Sequence, residues 1–353
     1  MRLIDEILET AIALNATDIH LQAGLPPVYR VQKRLIQKGG AKLGPQEMEE
    51  LVFSLMTDQQ KRIFREKLDY DFSCGVPGRA RFRVNAFRQR DSVAAALRRI
   101  PFEIPSFETL GLPAGLMDLT RLKRGFVLIT GAAGHGKSTT LAALIDRINT
   151  EREVHVVTIE DPIEYLFLHK KSVVVQRELG TDVGSFSGGL RAALREDPDV
   201  VFVGEMRDFQ TIEAALTAAE TGHLVFSTLH TKTPAQGIDR IVDVFPPHQQ
   251  SQVRVQLANV LHAIVTQQLI VRKDGEGMVV AVEQLVASPA VRNMIREGKT
   301  FQMQSLIQTG SAAGMVTMEQ SLKSLYERGL ITYEDALEHA FDGRELARLV
   351  GRS

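Results

Sequence analysis

Gly131-Ala132-Ala133-Gly134-His135-Gly136-Lys137-Ser138 fits the pattern GxxxxGK[ST] at every fixed position. The residue types explain the spacing. A polyphosphate is wrapped by successive backbone N–H groups, so the loop needs glycines and short side chains that let the main chain come close. Lys137 supplies a cation for the β and γ phosphates, Ser138 a hydroxyl for Mg²⁺, and Thr139 extends the turn into a helix whose N-terminal dipole faces the anion. The chemistry indicated is binding of ATP with Mg²⁺.

Such a loop must be held between a strand and a helix. Phe126 to Thr130 is a continuous apolar run, and Leu141, Leu144 and Ile145 beyond the loop recur at helical spacing. Val154 to Ile159, Val200 to Val203 and Leu224 to Ser227 are further apolar runs separated by helical stretches. Strands apolar on both faces predict an α/β domain with a parallel sheet covered by helices.

Ligands of such sheets bind at the carboxyl ends of the strands, and these ends are polar. They read Glu160-Asp161-Pro162-Ile163-Glu164, Gly204-Glu205-Met206-Arg207-Asp208 and Thr228-Leu229-His230-Thr231. Nucleotide hydrolysis needs one carboxylate near the metal and another that aligns or deprotonates water. Glu205 occupies the place of the second acid of a Walker B strand. The usual preceding aspartate is Gly204 here, which leaves Glu160, Asp161 and Glu164 to support Mg²⁺. His230 follows a strand on the same edge and is read as functional. His223 stays open between function and a locally bonded helix-end histidine.

The N-terminal part follows another pattern. Apolar positions from Leu3 to Ile12 recur at three and four, which predicts an amphipathic helix. Asp18 to Leu21 and Val28 to Ile36 read as strands, Gln46 to Met56 and Asp58 to Lys67 as helices. His20, in an alternating strand, is read as structural. Between Gly78 and Arg99 stand seven arginines against one acid, Asp91. Ala80, Phe82 and Val84 alternate with Arg79, Arg81 and Arg83, so the arginines share the outer face of a strand. That row is open to three readings: a solvated face, nucleic-acid phosphates, or arginine fingers toward a neighbour's nucleotide. Prolines 101, 105 and 113 mark an interdomain linker. The expected division is 1–100 N-terminal domain, 101–113 linker, 114–287 ATPase core and 288–353 helical region.

Composition limits the classes. The chain has 353 residues, 44% hydrophobic and 24% charged, with a net charge of −1, so no global field draws it to nucleic acid or an anionic membrane. The single cysteine, Cys74, rules out an internal disulfide or a multi-cysteine zinc site. Acids at Asp5, Glu6 and Glu9 interrupt what would be a signal core, and no apolar run reaches membrane-spanning length. A cytoplasmic location is expected, with any membrane attachment made through other proteins.

Laid in order, these segments resemble the secretion ATPase superfamily of type IV pili and type II secretion. The resemblance runs through TDIHLQAGLPP (Thr17 to Pro27), GRARFRVNAF (Gly78 to Phe87), the phosphate loop, TIEDPIEY (Thr158 to Tyr165), LREDPDVVFVGEMRD (Leu194 to Asp208) and TAAETGHLVFSTLHT (Thr217 to Thr231). It implies a PAS-like N-terminal α+β domain, a RecA-like ATPase domain and a helical C-terminal tail, assembled as a homo-hexamer that hydrolyses ATP. It also implies Glu205 as catalytic carboxylate, and arginines among Arg81, Arg83 and Arg98 as fingers.

Ala290-Val291-Arg292-Asn293-Met294-Ile295 is similar to a motif of the pilus-retraction (twitching motility) branch. A start directly at the short N-terminal domain, and one cysteine where assembly ATPases carry a four-cysteine zinc insertion, point to the same branch. The implied partners are an inner-membrane pilus platform protein and a paralogous motor ATPase, with no zinc and no nucleic acid. The alternatives are an assembly or accessory motor, a nucleic-acid translocase and an ATP-binding regulatory subunit. Ala132, Ala133 and His135 replace the commoner Pro, Thr and Ser of the family's loop, and His135 brings a titratable group to the triphosphate.

Overall fold

The structure is a computed structural model that describes residues 3–32, 34–39, 41–76, 79–100 and 103–352. It divides into two compact units. One is built from the described residues up to Glu103 together with 164–166, the other from 104–163 with 167–352.

The first unit is an antiparallel sheet backed by helices. Its strands are β1 (Asp18–Leu21), β2 (Val28–Val31), β3 (Arg34–Gln37), β4 (Asp69–Val76), β5 (Ala80–Gln89) and β6 (Ser92–Ile100), in the order β3-β2-β1-β6-β5-β4. Ile4, Ile7, Leu8 and Ala11 of the helix Leu3–Ala13 are buried with Phe82, Val84 and Leu97 of the sheet. The alternation expected along β5 is present: Ala80, Phe82 and Val84 are buried, while Arg81 is half-buried and Arg83 exposed on the other face. The single strand expected over Val28 to Ile36 is instead a hairpin, which turns through Gln32 at φ +48°. Apolar alternation runs through such a turn and cannot mark it. The helix expected over Gln46 to Met56 spans Pro45–Phe53, and Asp58–Lys67 forms as expected behind a Thr57–Gln60 capping box. Gly78, Pro101 and Phe102, which belong to the arginine motif and the linker, lie outside the described residues.

The second unit holds seven strands: β7 (Gly125–Thr130), β8 (His155–Glu160), β9 (Val173–Glu178), β10 (Val200–Val203), β11 (Leu224–Leu229), β12 (Leu261–Val271) and β13 (Met278–Val286). Their order is β13-β12-β7-β11-β10-β8-β9, and only the β12–β13 pair is antiparallel. Every residue of β7, β10 and β11 is buried, as the continuous apolar runs require. The three strands not foreseen in this unit have mixed patterns. β9 at the edge carries Gln176, Arg177 and Glu178, and β12 carries Gln267 and Gln268. The C-terminal helices cover the antiparallel pair: Met318, Leu322 and Leu325 pack with Ile270 and Ala281. The capping box at Thr332 forms, with Asp335 N–H donating to Thr332 Oγ1 at 3.1 Å and Thr332 N–H to Asp335 Oδ2 at 3.0 Å.

Candidate active site

β7 ends at Thr130, and the chain turns through a loop whose glycines are conformationally required. Gly131, Gly134 and Gly136 have φ of +141°, +78° and +76°. Gly131 is also constrained by contact, since a Cβ there would stand 2.5 Å from the Gln267 carbonyl oxygen. The helix Lys137–Glu151 begins directly after Gly136, so the N-terminal end of its dipole faces the loop. Ser138 and Thr139 lie half-buried in its first turn, and Ala132 and Ala133 are exposed at the loop's crest.

Lys137 is 7% exposed. Its ammonium donates to the carbonyls of Gly131 at 2.8 Å and Ala132 at 2.9 Å, and lies 3.4 Å from His230 Nδ1. The other ring nitrogen, Nε2, is 3.2 Å from Glu205 Oε1. An ammonium only donates, so Nδ1 is the acceptor and Nε2 carries the hydrogen that goes to Glu205. Glu205 Oε2 is held by Arg207 Nη2 at 2.8 Å. The result is a line of contacts Lys137–His230–Glu205–Arg207. Burial pushes the Glu205 carboxyl up, but the hydrogen bonds from Arg207 and His230 and the charge of Arg207 outweigh it and hold the group below the usual carboxylate range.

The strand ends that carry these groups are tied together. Ser227 Oγ donates to Val203 O at 2.8 Å and Thr228 Oγ1 to Gly204 O at 2.6 Å. Gly204 is the glycine found where an aspartate is usual, and the fold explains it. A Cβ would meet Ile159 O at 3.2 Å and Glu160 Cα at 3.3 Å. The neighbouring Glu160 is buried, with its Oε1 accepting from Thr158 Oγ1 at 2.6 Å and Gln176 Nε2 at 3.2 Å. Asp161 is exposed, and its charge acts on Arg207.

A family model described as Type II/IV secretion system protein matches residues 1–345. The chain belongs to that family. "Type IV pilus retractation ATPase PilT" of Pseudomonas aeruginosa is 48% identical over 337 residues, covering 96% of this chain and 98% of the relative. "Type IV pilus ATPase PilU" of the same organism is 40% identical over 346 residues, covering 98% and 91%. The crystal structure of the pilus retraction motor PilT with bound ADP matches with a TM-score of 0.90 at 51% identity over 99% of each chain. The ATPase DotB of Legionella pneumophila matches at 0.84 and 32%, over 94% of this chain and 93% of that one. The two-unit α/β architecture with its parallel sheet is therefore that of solved type II/IV secretion ATPases.

In this member of the type II/IV secretion family, the fold gathers loop residues 131–139, His230 and Glu205 at one sheet edge, with Glu160 on the neighbouring strand. Glu164 falls in the first unit. So do Arg81, Arg83 and Arg98, which share the sheet face opposite its core. Arg83 stands directly across from Arg98. Arg81 donates to Ser73 Oγ at 2.7 Å, Arg98 pairs with Asp18 at 2.9 Å, and Arg83 lies 3.8 Å from Asp71.

His223 is satisfied locally, its Nδ1 2.9 Å from Ala218 O, away from the Lys137–Glu205 line. His20 sits half-buried opposite Ala96 and meets no catalytic partner among the described residues. Residue types alone missed three contributors: Arg207, although it lies two positions after Glu205, and Gln176 and Gln267, whose strands had gone unread.

Proposed function

We propose that the protein is an ATP-hydrolysing motor of type IV pilus retraction, working as a homo-hexamer that converts rotation of its two domains into force on the pilus. The observation that carries the chemistry is the line from Lys137 through His230 to Glu205. It joins the phosphate-binding lysine to a carboxylate kept ionised and able to take a proton from water. The retraction assignment rests on the extent of similarity to PilT, at 48% over nearly both chains.

In this reading Lys137 exchanges the carbonyls of Gly131 and Ala132 for the β and γ phosphate oxygens, and loop amides hold the rest of the triphosphate. Glu205 aligns the attacking water and accepts its proton. His230 touches both groups and registers whether the lysine is engaged by phosphate. The donors fit Mg²⁺: the Ser138 hydroxyl and the Glu160 carboxylate are hard oxygens. Among the described residues no group of three or more His, Cys, Asp or Glu gathers into a closed cage. That suits an ion shared with phosphates and water. Ser138 and Glu160 would hold it, supported by Asp161, and its charge would neutralise the β and γ oxygens. Arg81, Arg83 or Arg98 of an adjacent subunit would close the site. No helix among the described residues is long and apolar enough to cross a membrane, so attachment to the inner membrane would run through the pilus platform protein.

The deciding experiment pairs purified protein with cells. Glu205→Ala should bind ATP with Mg²⁺ while phosphate release collapses by two orders of magnitude or more, and cells carrying it should extend pili that do not retract. Undiminished turnover would remove Glu205 from this role. Negligible turnover by the wild-type chain would favour an accessory subunit.

A further inference from the structure

β12 pairs with β13 from Ala263 to Val271, but with β7 only as far as Thr266. There β7 stops, because the chain leaves it at Gly131 to form the loop. The β7-facing edge of Gln267–Leu269 has lost its strand partner, and a partly buried amide on that edge needs an acceptor. His135 supplies one: Leu269 N–H donates to His135 Nδ1 at 3.1 Å. Gln267, fully buried, donates back from Nε2 to the His135 carbonyl. Gly131 and Gly136 lie against the same segment, since a Cβ on Gly136 would stand 3.3 Å from both Gln267 Nε2 and Leu269 Cδ1. The next side chain, Gln268, donates from Nε2 to His339 O at 3.0 Å, which ties this stretch of β12 to the helix Tyr333–His339.

We propose that His135 is a positioning residue that replaces the missing strand partner, locking the phosphate loop onto β12 in the curvature that receives the triphosphate. This rests on the assignment of the loop as the phosphate site. The bond requires a lone pair on Nδ1, hence a neutral ring with its hydrogen on Nε2. The titratable groups that act on the ring are Lys137 from the loop's own helix and His339 from the C-terminal helix, while β12 presents only Gln267, Gln268 and Leu269. Burial first, then Lys137 and His339, lower the imidazole's proton affinity and keep it in the accepting form. A proton on Nδ1 would set one N–H against another and release the loop, so nucleotide affinity should weaken on the acid side.

The test compares wild type, His135→Ala and His135→Asn, whose Oδ1 sits where Nδ1 does. Affinity for a fluorescent ADP analogue is measured from pH 5.5 to 8, with ATP KM and kcat and hydrogen exchange at the Leu269 amide. At pH 8 His135→Ala should weaken binding and raise KM about tenfold, the effect of one lost hydrogen bond, with a much smaller change in kcat and faster Leu269 exchange. His135→Asn should recover most of the affinity and protection, and it should lack the wild type's acid-side weakening.

Equal impairment of Ala and Asn, wild-type affinity in Ala, or the same acid-side weakening in Asn would each overturn the proposal. Should Ala not fold, the pH comparison of wild type with Asn decides alone. A wild-type chain that bound no ADP would instead overturn the loop's assignment as a phosphate site.

Discussion

Glu283 should make the second unit less stable as pH rises from about 4.5 to about 7, and Glu283→Gln should remove the effect. The residue lies on β13 opposite Thr266 and is fully buried. Its Oε1 accepts from Gln304 Nε2 at 3.2 Å. Burial pushes the carboxyl from its ordinary 4.5 to about 7, and the nearby Glu319 charge adds to the push, while hydrogen bonds from Gln304 and the backbone at Met318 pull the other way. Between those two values the folded chain keeps a proton that the unfolded chain has released, so stability falls as pH climbs across the window and stays reduced above it. The shift corresponds to about 3 kcal/mol. A glutamine does not titrate, so Glu283→Gln should gain about 3 kcal/mol on wild type at pH 8.5, with most of that gain gone at pH 5. For a unit of this size that is roughly 6–12 °C in the midpoint. Calorimetry at both pH values, at fixed protein concentration and without nucleotide, reads the difference. Glu319→Gln, which removes the neighbouring charge, should shrink it. A gap between wild type and Glu283→Gln that is the same at pH 5 and pH 8.5 would refute the reasoning.

Arg207→Ala should let the Glu205 pKa rise, because the strongest contact opposing its burial is gone. The acid limb of the kcat/KM profile, measured from pH 5 to 9, should move to higher pH. Gly204→Ala should cost about 1–3 kcal/mol and lower activity, since the added Cβ meets backbone atoms of Ile159 and Glu160 rather than a yielding side chain; thermal midpoint and phosphate release check it. Cys74, whose thiol burial pushes up to about 12 against the opposing charge of Arg81, should react with iodoacetamide at pH 8 only as fast as the first unit opens. A rate matching free cysteine would contradict that placement.

What could be read from residues alone follows from how strongly each feature constrains the chain. The phosphate loop was legible because three glycines, a lysine and a hydroxyl are all demanded by one geometry. The central strands were legible because burial on both faces leaves an uninterrupted apolar run, as in β7 and β11. β9 and β12 were not: one lies at the sheet edge and the other carries two glutamines, so neither shows a clean period. With them went Gln176, which holds Glu160, and Gln267, which holds the loop. Arg207 was on the page but without a signal of its own, since an arginine after an acid is as often a solvated pair. Its role depends on the turn that folds it back to Glu205 Oε2.

The spatial order of the catalytic groups is the strand order of the sheet. β7 feeds the loop and Lys137, β11 precedes His230 and β10 precedes Glu205, and the strands lie side by side as β7-β11-β10. Adjacent strands stand about 4.8 Å apart, so two steps separate the end that carries the lysine from the end that carries the carboxylate by roughly 10 Å. The lysine and the carboxylate are thus carried by strands that are not neighbours in the sheet. The imidazole on the strand between them spans the gap, with one nitrogen toward each group. The topology thus keeps the cation and the base apart while giving both a shared contact. A γ phosphate that drew Lys137 away would break one half of that contact and free the ring to move relative to Glu205.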